Sequence, residues 1–398
     1  MRKFGPALLV TAAFIGPGTV TTATLAGGNF GFTLLWALVF SVIATFVLQE
    51  MASRLGLVTG NGLAEAISQQ FTGIKRALAI LLVVSAIGVG NAAYQGGNLT
   101  GAAMGLAGFS GGELTHWVWL LAAIATGLLL TGQYKWVEKS LIALVLTMST
   151  VFIATMVLAG PSLLDVIQGA LTFDLPDGSS LMIMALIGTT VVPYNLFLHA
   201  SIVAKNAPND DNLDTALKNN RIDSSLSIGL GGLITLSILS CAASTFFVTQ
   251  TQVDAANIGQ QLAPLLGEYA NIFFAIGLFA AGLTSAITAP LAAAYAVTGA
   301  LGWKTELTDV RFKCVWISVM LVGVIFASSG IKPLAAILFA QATNGLLLPI
   351  IAIFLIWTLN NKTLMGRHKN GLLANLIGGI IVAFVSILGL YKVVSAFI

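Results

Sequence analysis

Gly88, Asn91, Gln95 and Asn98 recur at i, i+3, i+7 and i+10 within an otherwise apolar run. That spacing is one face of a helix. The amides offer hydrogen bonds without charge. Similar groups punctuate other apolar runs. Thr19 follows Gly16-Pro17-Gly18, Tyr194 and Asn195 follow Val192-Pro193, and Gln341, Thr343 and Asn344 lie in a late run. Thr284, Ser285 and Thr288 add hydroxyls. His199 is a candidate proton relay or, equally, a hydrogen-bonded packing residue. The helix-face amides likewise have two readings. They line a polar path with His199, or they join helices, helped by Gly96, Gly97 and Gly101. No nucleophile–base pair and no cluster of metal ligands falls within an apolar run. No enzyme activity, no cofactor and no resident metal is therefore expected.

The acids are the more informative absence. The chain has 15 Asp and Glu residues. Only Glu50 enters an apolar run, and Arg54 at i+4 is placed to pair with it. The rest fall in loops or at the ends of runs. Hard divalent cations are held by oxygen ligands that usually include carboxylates. Transition metals favour imidazole, thiolate or thioether. A site made of the neutral groups above suits a solute without strong positive charge. Gly16 and Gly18 let the backbone approach it closely. The N–H groups of a helix start favour an anionic group.

These residues must be positioned by membrane helices. The 398 residues are 57% hydrophobic and 8% charged, against about 25% charged in soluble domains. A soluble fold of this length cannot hide so much apolar surface. Cys241 and Cys314 are too few for a disulfide framework and read as packing residues. At about 20 apolar residues per span, eleven spans are expected: 5–28, 31–53, 77–106, 115–132, 140–160, 180–203, 226–249, 268–300, 314–330, 334–358 and 371–396. Among the 18 Lys and Arg residues, only Lys332 and Lys392 then fall on one side, and the others fall on the opposite side. This bias predicts a multi-pass inner (plasma) membrane protein with a cytoplasmic N-terminus and an extracytoplasmic C-terminus.

Two spans carry their own breakers. The first is interrupted at Gly16-Pro17-Gly18 and the sixth at Val192-Pro193-Tyr194-Asn195. An interior proline removes a backbone hydrogen bond and clashes with the preceding turn. In lipid, freed backbone groups are tolerated only beside protein or a watery cavity. Matched breaks, each in the first helix of a five-helix half, predict an all-α transporter of two inverted repeats with its site at the midplane. The halves are 1–160 and 161–358, with an eleventh helix in 359–398.

Several segments carry a resemblance. The chain reads "LQEMASRLGLVTGNGLAEAI" in the second span, "GTTVVPYNLFLHAS" in the sixth and "GLFAAGLTSAIT" in the eighth. The tenth ends in "LLLPIIAIFLIW", followed by "NNKTLMG". From about Gly5 to Gly366 the chain resembles the NRAMP-type transporters. That resemblance implies a LeuT-like fold and proton-coupled uptake of divalent metals such as manganese and iron. It also implies a substrate site at the two breaks, with Gln341 on the tenth span and His199 matching a family histidine. Other positions depart from the family. Its Asp-Pro-Gly-Asn break is Gly16-Pro17-Gly18-Thr19 here. Its sixth-span methionine falls on Val192 and the adjacent histidine on Tyr194. Its third-span Asp and Glu, which serve proton movement, fall on Gln95 and Asn98.

The expected substrate site is thus Gly16, Gly18, Thr19, Val192, Tyr194, Asn195, Gln341 and Asn344. The expected polar pathway is Asn91, Gln95, Asn98 and His199. The expected function is secondary transport by alternating access of a small neutral, zwitterionic or anionic solute. One alternative keeps the divalent metal cation, with a carboxylate-free site and weak or no proton coupling. A more distant one is a non-transporting sensor or structural membrane protein. The expected partners are a small-molecule or ion substrate and the lipid bilayer, with no nucleic acid. Oligomeric state is left open, a monomer being compatible with the sequence.

Overall fold

The computed structural model describes residues 15–132, 135–205 and 212–395, with main chain alone at 135, 136, 138 and 392–395. The long helices are α1 (Pro17–Phe30), α2 (Leu35–Thr59), α3 (Gly73–Ser110), α4 (Leu114–Thr131), α5 (Lys135–Ala159), α6 (Ser180–Thr190), α7 (Pro193–Ala204), α8 (Leu213–Ala242), α9 (Ala270–Leu301), α10 (Val310–Ala327), α11 (Pro333–Asn360) and α12 (Leu372–Ser395). Short helical turns join some of them, among them Leu63–Gln70 between α2 and α3. Among the described residues, ten stretches are long and apolar enough to cross a membrane, with α6 and α7 together forming one. They coincide with the expected spans from the second to the eleventh. The first expected span, 5–28, lies partly outside the described residues; α1 is its second half.

Several bounds differ from the sequence expectation, and two of the helix starts differ for one reason. α3 begins at Gly73 rather than 77, and α8 begins at Leu213 rather than 226. Both helices continue past the apolar zone through polar turns, carrying Lys75 and Arg76 in α3 and Lys218, Asn219 and Arg221 in α8. Hydropathy marks the bilayer, not the end of the hydrogen-bond ladder. α8 ends in a π turn, Ala243–Phe247.

Large apolar side chains such as Leu81, Val89, Trp119, Val157, Ile325 and Leu373 remain exposed around the bundle. In water such a surface would aggregate, whereas in lipid it is the solvent-facing side. Inside, small residues let helices meet backbone to backbone. A Cβ on Gly105 of α3 would strike the Ala275 carbonyl of α9, and one on Gly282 of α9 would lie 2.5 Å from the Ala102 nitrogen of α3. A Cβ on Gly27 of α1 would strike the Leu239 carbonyl of α8.

Glu50 and Arg54 of α2 form the expected pair at 3.2 Å. The pair belongs to a wider latch. Arg221 of α8 reaches Glu50 at 2.8 Å, and Arg54 donates to the His368 carbonyl at 2.6 Å and to Asn370 Oδ1 at 2.8 Å. Three charged-group contacts thus tie α2 to α8 and to the turn before α12.

Candidate substrate site

The helices that follow the two expected breaks start in the same way. Gly16 is extended (φ −92°, ψ 177°) as the N-cap of α1, with Pro17 in its first turn. Val192 is extended (φ −78°, ψ 117°) as the N-cap of α7, with Pro193 in its first turn. Proline suits a helix start because its missing N–H would have no intrahelical partner there. α6 stops two residues earlier, at Thr190. The irregular residues are therefore Val191 and Val192, and Tyr194 and Asn195 already belong to α7. The starts of α1 and α7 carry partial positive charge, and the end of α6 carries partial negative charge. The Thr19 and Thr189 hydroxyls meet at 3.0 Å and join the start of α1 to the end of α6.

Gln341 of α11 lies over the first break. A Cβ on Gly18 would fall on its side-chain amide. Glycine is needed there for this approach. The Gln341 main chain is held from the other side, because Gly188 of α6 rests directly on its carbonyl. Gly16 faces α9 and α3, since a Cβ there would sit 2.9 Å from Ser285 Oγ and 3.4 Å from Tyr94 Oη. Tyr94 in turn packs edge-on against Tyr194, with ring centroids 5.3 Å apart. Gly101 seats α3 on the Pro17 ring. Residues 94, 97, 98 and 101 form one face of α3, and this face meets both the first break and α11.

All of these groups are buried, yet several have no hydrogen-bond partner within the protein. Both amide atoms of Asn98, of Asn195 and of Gln341 are unpartnered, as are Ser285 Oγ and Asn344 Nδ2. Buried polar atoms are nearly always paired in folded proteins, and each orphan costs about 1–3 kcal/mol. Their concentration around the two breaks marks a place built to meet a polar ligand.

Other expected site residues do different work. Asn91 donates to the Ala289 carbonyl at 3.1 Å, and Gln95 donates to the Ala286 carbonyl at 3.0 Å and to Met320 Sδ at 3.1 Å. Those amides hold α3 against α9 and α10, while Asn98 lies on the face of α3 whose Gly97 and Gly101 meet α11 and Pro17. Thr284 and Thr288 bond back to carbonyls of their own helix. Thr343 does the same on an outward face, away from the site. His199 is buried, pairs through Nδ1 with Gln49 Oε1 of α2 at 2.7 Å, and also meets the side chain of Asn220 on α8. Val192 is buried at the second break. Among the described residues no three His, Cys, Asp or Glu side chains gather as a metal cluster.

The family model "Natural resistance-associated macrophage protein-like" matches residues 7–395. The chain belongs to the Nramp family. A divalent metal cation transporter, MntH, of Listeria welshimeri is 29% identical over 402 residues, covering 97% of this chain and 88% of the relative. MntH of Verminephrobacter eiseniae is 26% identical, covering 96% and 88%. The Eremococcus coleocola manganese transporter superposes with a TM-score of 0.76 at 21% identity, over 98% of this chain and 86% of that one. The amino-acid-bound transporter MhsT superposes with a TM-score of 0.65 at 15% identity, over 98% of each chain. The architecture is therefore the LeuT-like fold shared by Nramp and MhsT-type carriers.

In this Nramp member two cavities lie at the far ends of the helices that start at the breaks. One cavity, of about 680 Å³, lies beyond the end of α1 and is lined by Phe30, Thr33, Asp165, Asp174 and Phe247. Thr19 is eleven residues from Phe30, about 16 Å along a helix. A second, of about 280 Å³, lies past the end of α7 and is lined by Asn61, Glu65, Ser201, Lys205 and Tyr295.

Glu65 was expected only in a loop or at a helix end. It sits on the short helix Leu63–Gln70, half-buried, with Oε2 unpartnered. Burial pushes its carboxyl above the usual 4.5, opposed by a backbone hydrogen bond and by the Lys205 charge. A raised folded-state value means that the folded protein holds the proton more tightly than the unfolded chain. Its contribution is full below the unfolded value and is lost as pH rises through the folded one. Thermal stability should therefore fall as pH climbs above 4.5 through this titration. Glu65→Gln should flatten that slope in a melting series across pH, and an unchanged slope would remove Glu65 as its source.

Proposed function

We propose that this Nramp protein is a secondary carrier that moves a divalent metal cation by alternating access, holding the ion through neutral oxygens while it keeps part of its water shell. The observation that carries this is the set of buried, unpartnered polar atoms on Gln341, Asn98 and Asn195 around the two expected helix breaks. The cation transporters among its relatives support the choice of cargo. With Gly16 at the first break and no acid beside it, full dehydration of a divalent ion would go uncompensated. Ligands from Gln341 Oε1, Asn98 Oδ1 and Asn195 Oδ1 suit an ion that retains waters. Gln95 and Asn98 do not titrate, so a proton gradient should drive uptake weakly.

The small neutral, zwitterionic or anionic solute inferred from sequence remains the second reading. The specific observation in its favour is that amide nitrogens, donors that repel a cation, are unpartnered beside the oxygens. A non-transporting role leaves those orphaned groups without a use. We further propose that the halves are 1–160 and 161–358, followed by 359–398. The Lys- and Arg-rich side, with the N-terminus, faces the cytoplasm in an inner (plasma) membrane.

The test is uptake by purified protein in liposomes. Manganese, iron, cadmium and magnesium would be offered beside amino acids, organic acids and polyols. Saturable divalent uptake is expected, falling by more than about tenfold in Gln341→Ala, the loss expected when a charged ligand forfeits one hydrogen-bonding group. Calorimetry that finds no divalent binding, together with saturable uptake of an organic solute, would select the second reading.

A further inference from the structure

A groove runs down the outside of the bundle where α3, α9 and α10 meet. Val84 and Gly88 of α3, Val297 of α9, and Val319 and Val322 of α10 line it, and its volume is about 430 Å³. Val310 and Val322, toward its two ends, are 72% and 50% exposed, so it opens on the lipid-facing surface. No atom lies within 4 Å of where a Cβ on Gly88 would stand, so the groove is open on that side. The Ser318 hydroxyl, which also lines it, donates to the Cys314 carbonyl of its own helix at 2.8 Å. Between its ends the groove is thus almost wholly apolar.

One end is different. Among the described residues, Arg311 is the one charged group that lines the groove. Its guanidinium lies over the Trp303 ring, 5.3 Å from the centroid. Among the described residues that guanidinium pairs with no carboxylate. Asp309, two residues away, is engaged as the cap of α10, accepting from the Arg311 and Phe312 main-chain N–H groups. A planar guanidinium matches a phosphate group, and tryptophan favours the boundary between headgroups and hydrocarbon. Both residues stand on the Lys- and Arg-rich side of the molecule, the side that attracts anionic lipids.

The dimensions select the occupant. From Arg311 to Val322 the groove follows eleven residues of α10, about 16 Å. That is about half of a 30 Å hydrocarbon core, the depth of one leaflet. A volume of about 430 Å³ spread over that length leaves a section about 6 Å across. A helix from a second copy, about 10–12 Å in diameter, cannot enter it. A single hydrocarbon chain can.

We propose that this groove binds one anionic phospholipid, with an acyl chain along α3 and α10 and the phosphate on Arg311. The lipid would brace the junction of α3, α9 and α10 from outside, while Asn91 and Gln95 tie it from within. The binding does not rest on the carrier reading.

The test is native mass spectrometry of the detergent-purified chain, titrated separately with phosphatidylglycerol, phosphatidylcholine and chain-free glycerol phosphate. One tightly held phosphatidylglycerol per chain is expected, preferred over phosphatidylcholine by about tenfold. Arg311→Ala should abolish the preference, and Arg311→Lys, which keeps the charge without the fork, should fall between. Gly88→Leu fills the groove with Arg311 intact and should weaken phosphatidylglycerol binding by at least about tenfold. Phosphatidylglycerol should raise the melting temperature of the parent and of neither Arg311→Ala nor Gly88→Leu, and the same curves show that each variant is folded. Equal retention of the two lipids, or retention that Arg311→Ala and Gly88→Leu leave unchanged, overturns the site. Competition by glycerol phosphate would assign the binding to a headgroup alone and remove the groove from it. A lipid-free dimer that Gly88→Leu dissociates would make the groove a contact between copies and overturn the proposal.

Discussion

Gly16→Asp is expected to turn the first break into a tight manganese site, with a gain in affinity of at least about tenfold. The backbone is ready for the change. Gly16 is an N-cap with extended φ and ψ and no side-chain cap, a position where aspartate is among the preferred residues. The carboxylate would face the positive end of α1. Its Cβ would sit 2.9 Å from Ser285 Oγ, a hydroxyl that can rotate away. Without a cation, the variant buries a charge with no counter-charge beside it, which costs several kcal/mol. The metal-free protein should therefore melt well below the parent. Manganese should restore it, by about 2.7 kcal/mol at one hundred times the dissociation constant. Adding Val192→Met brings a thioether that suits transition metals, against about 1–3 kcal/mol of overpacking. Calorimetry and melting with and without manganese check this. A stable variant that ignores manganese would mean that the first break does not contact the cargo.

The breaks were legible because proline and glycine act locally. Pro17 and Pro193 each sit in the first turn of a helix at matched places five spans apart, whereas Pro290 and Pro349 lie inside α9 and α11, so it was the pairing that marked the first and sixth spans before any packing was known. The relation of Gln341 to Gly18 was not legible in the same way. It depends on Gly188 and Gly97 setting α11 against α6 and α3, and small-residue contacts carry no sequence label for their partner. The amides of α3 show the same limit. Asn91, Gln95 and Asn98 share a face broad enough to touch two neighbours. Only the positions of α9 and α1 separate the pair that binds Ala289 and Ala286 from the one beside the break. Glu65 was missed for a different reason. Its stretch is too short and polar to read as buried, and its burial comes from Gly299 of α9 and Ser201 of α7 closing over it. The cargo was the least legible of all. Missing acids at Gly16 and Gln95 argue against a bare divalent ion, yet neutral oxygens and retained water meet the same requirement.

Gly18→Ala and Gly188→Ala differ by one methyl each from the parent and should fail in opposite ways. The methyl on Gly18 meets the mobile end of the Gln341 side chain. Gln341 can swing aside at little cost, and alanine gains roughly 0.5–1 kcal/mol of helix propensity over glycine. Stability should barely move. Uptake should fall by about tenfold to a hundredfold, since a ligand displaced by even 1 Å costs that much. Gly18→Ala combined with Gln341→Ala should be no worse than Gln341→Ala alone, because both changes remove the same contact. The methyl on Gly188 instead meets main chain, the Gln341 carbonyl and, at 2.5 Å, the Gly345 nitrogen. No rotamer relieves that, so α6 and α11 must separate. The cost should be about 3 kcal/mol, at the upper end for overpacked cores, and the melting temperature should drop sharply. Normal uptake in Gly18→Ala would place Gln341 away from the cargo. An unchanged melting temperature in Gly188→Ala would show that the junction holding Gln341 over the break is loose rather than fixed.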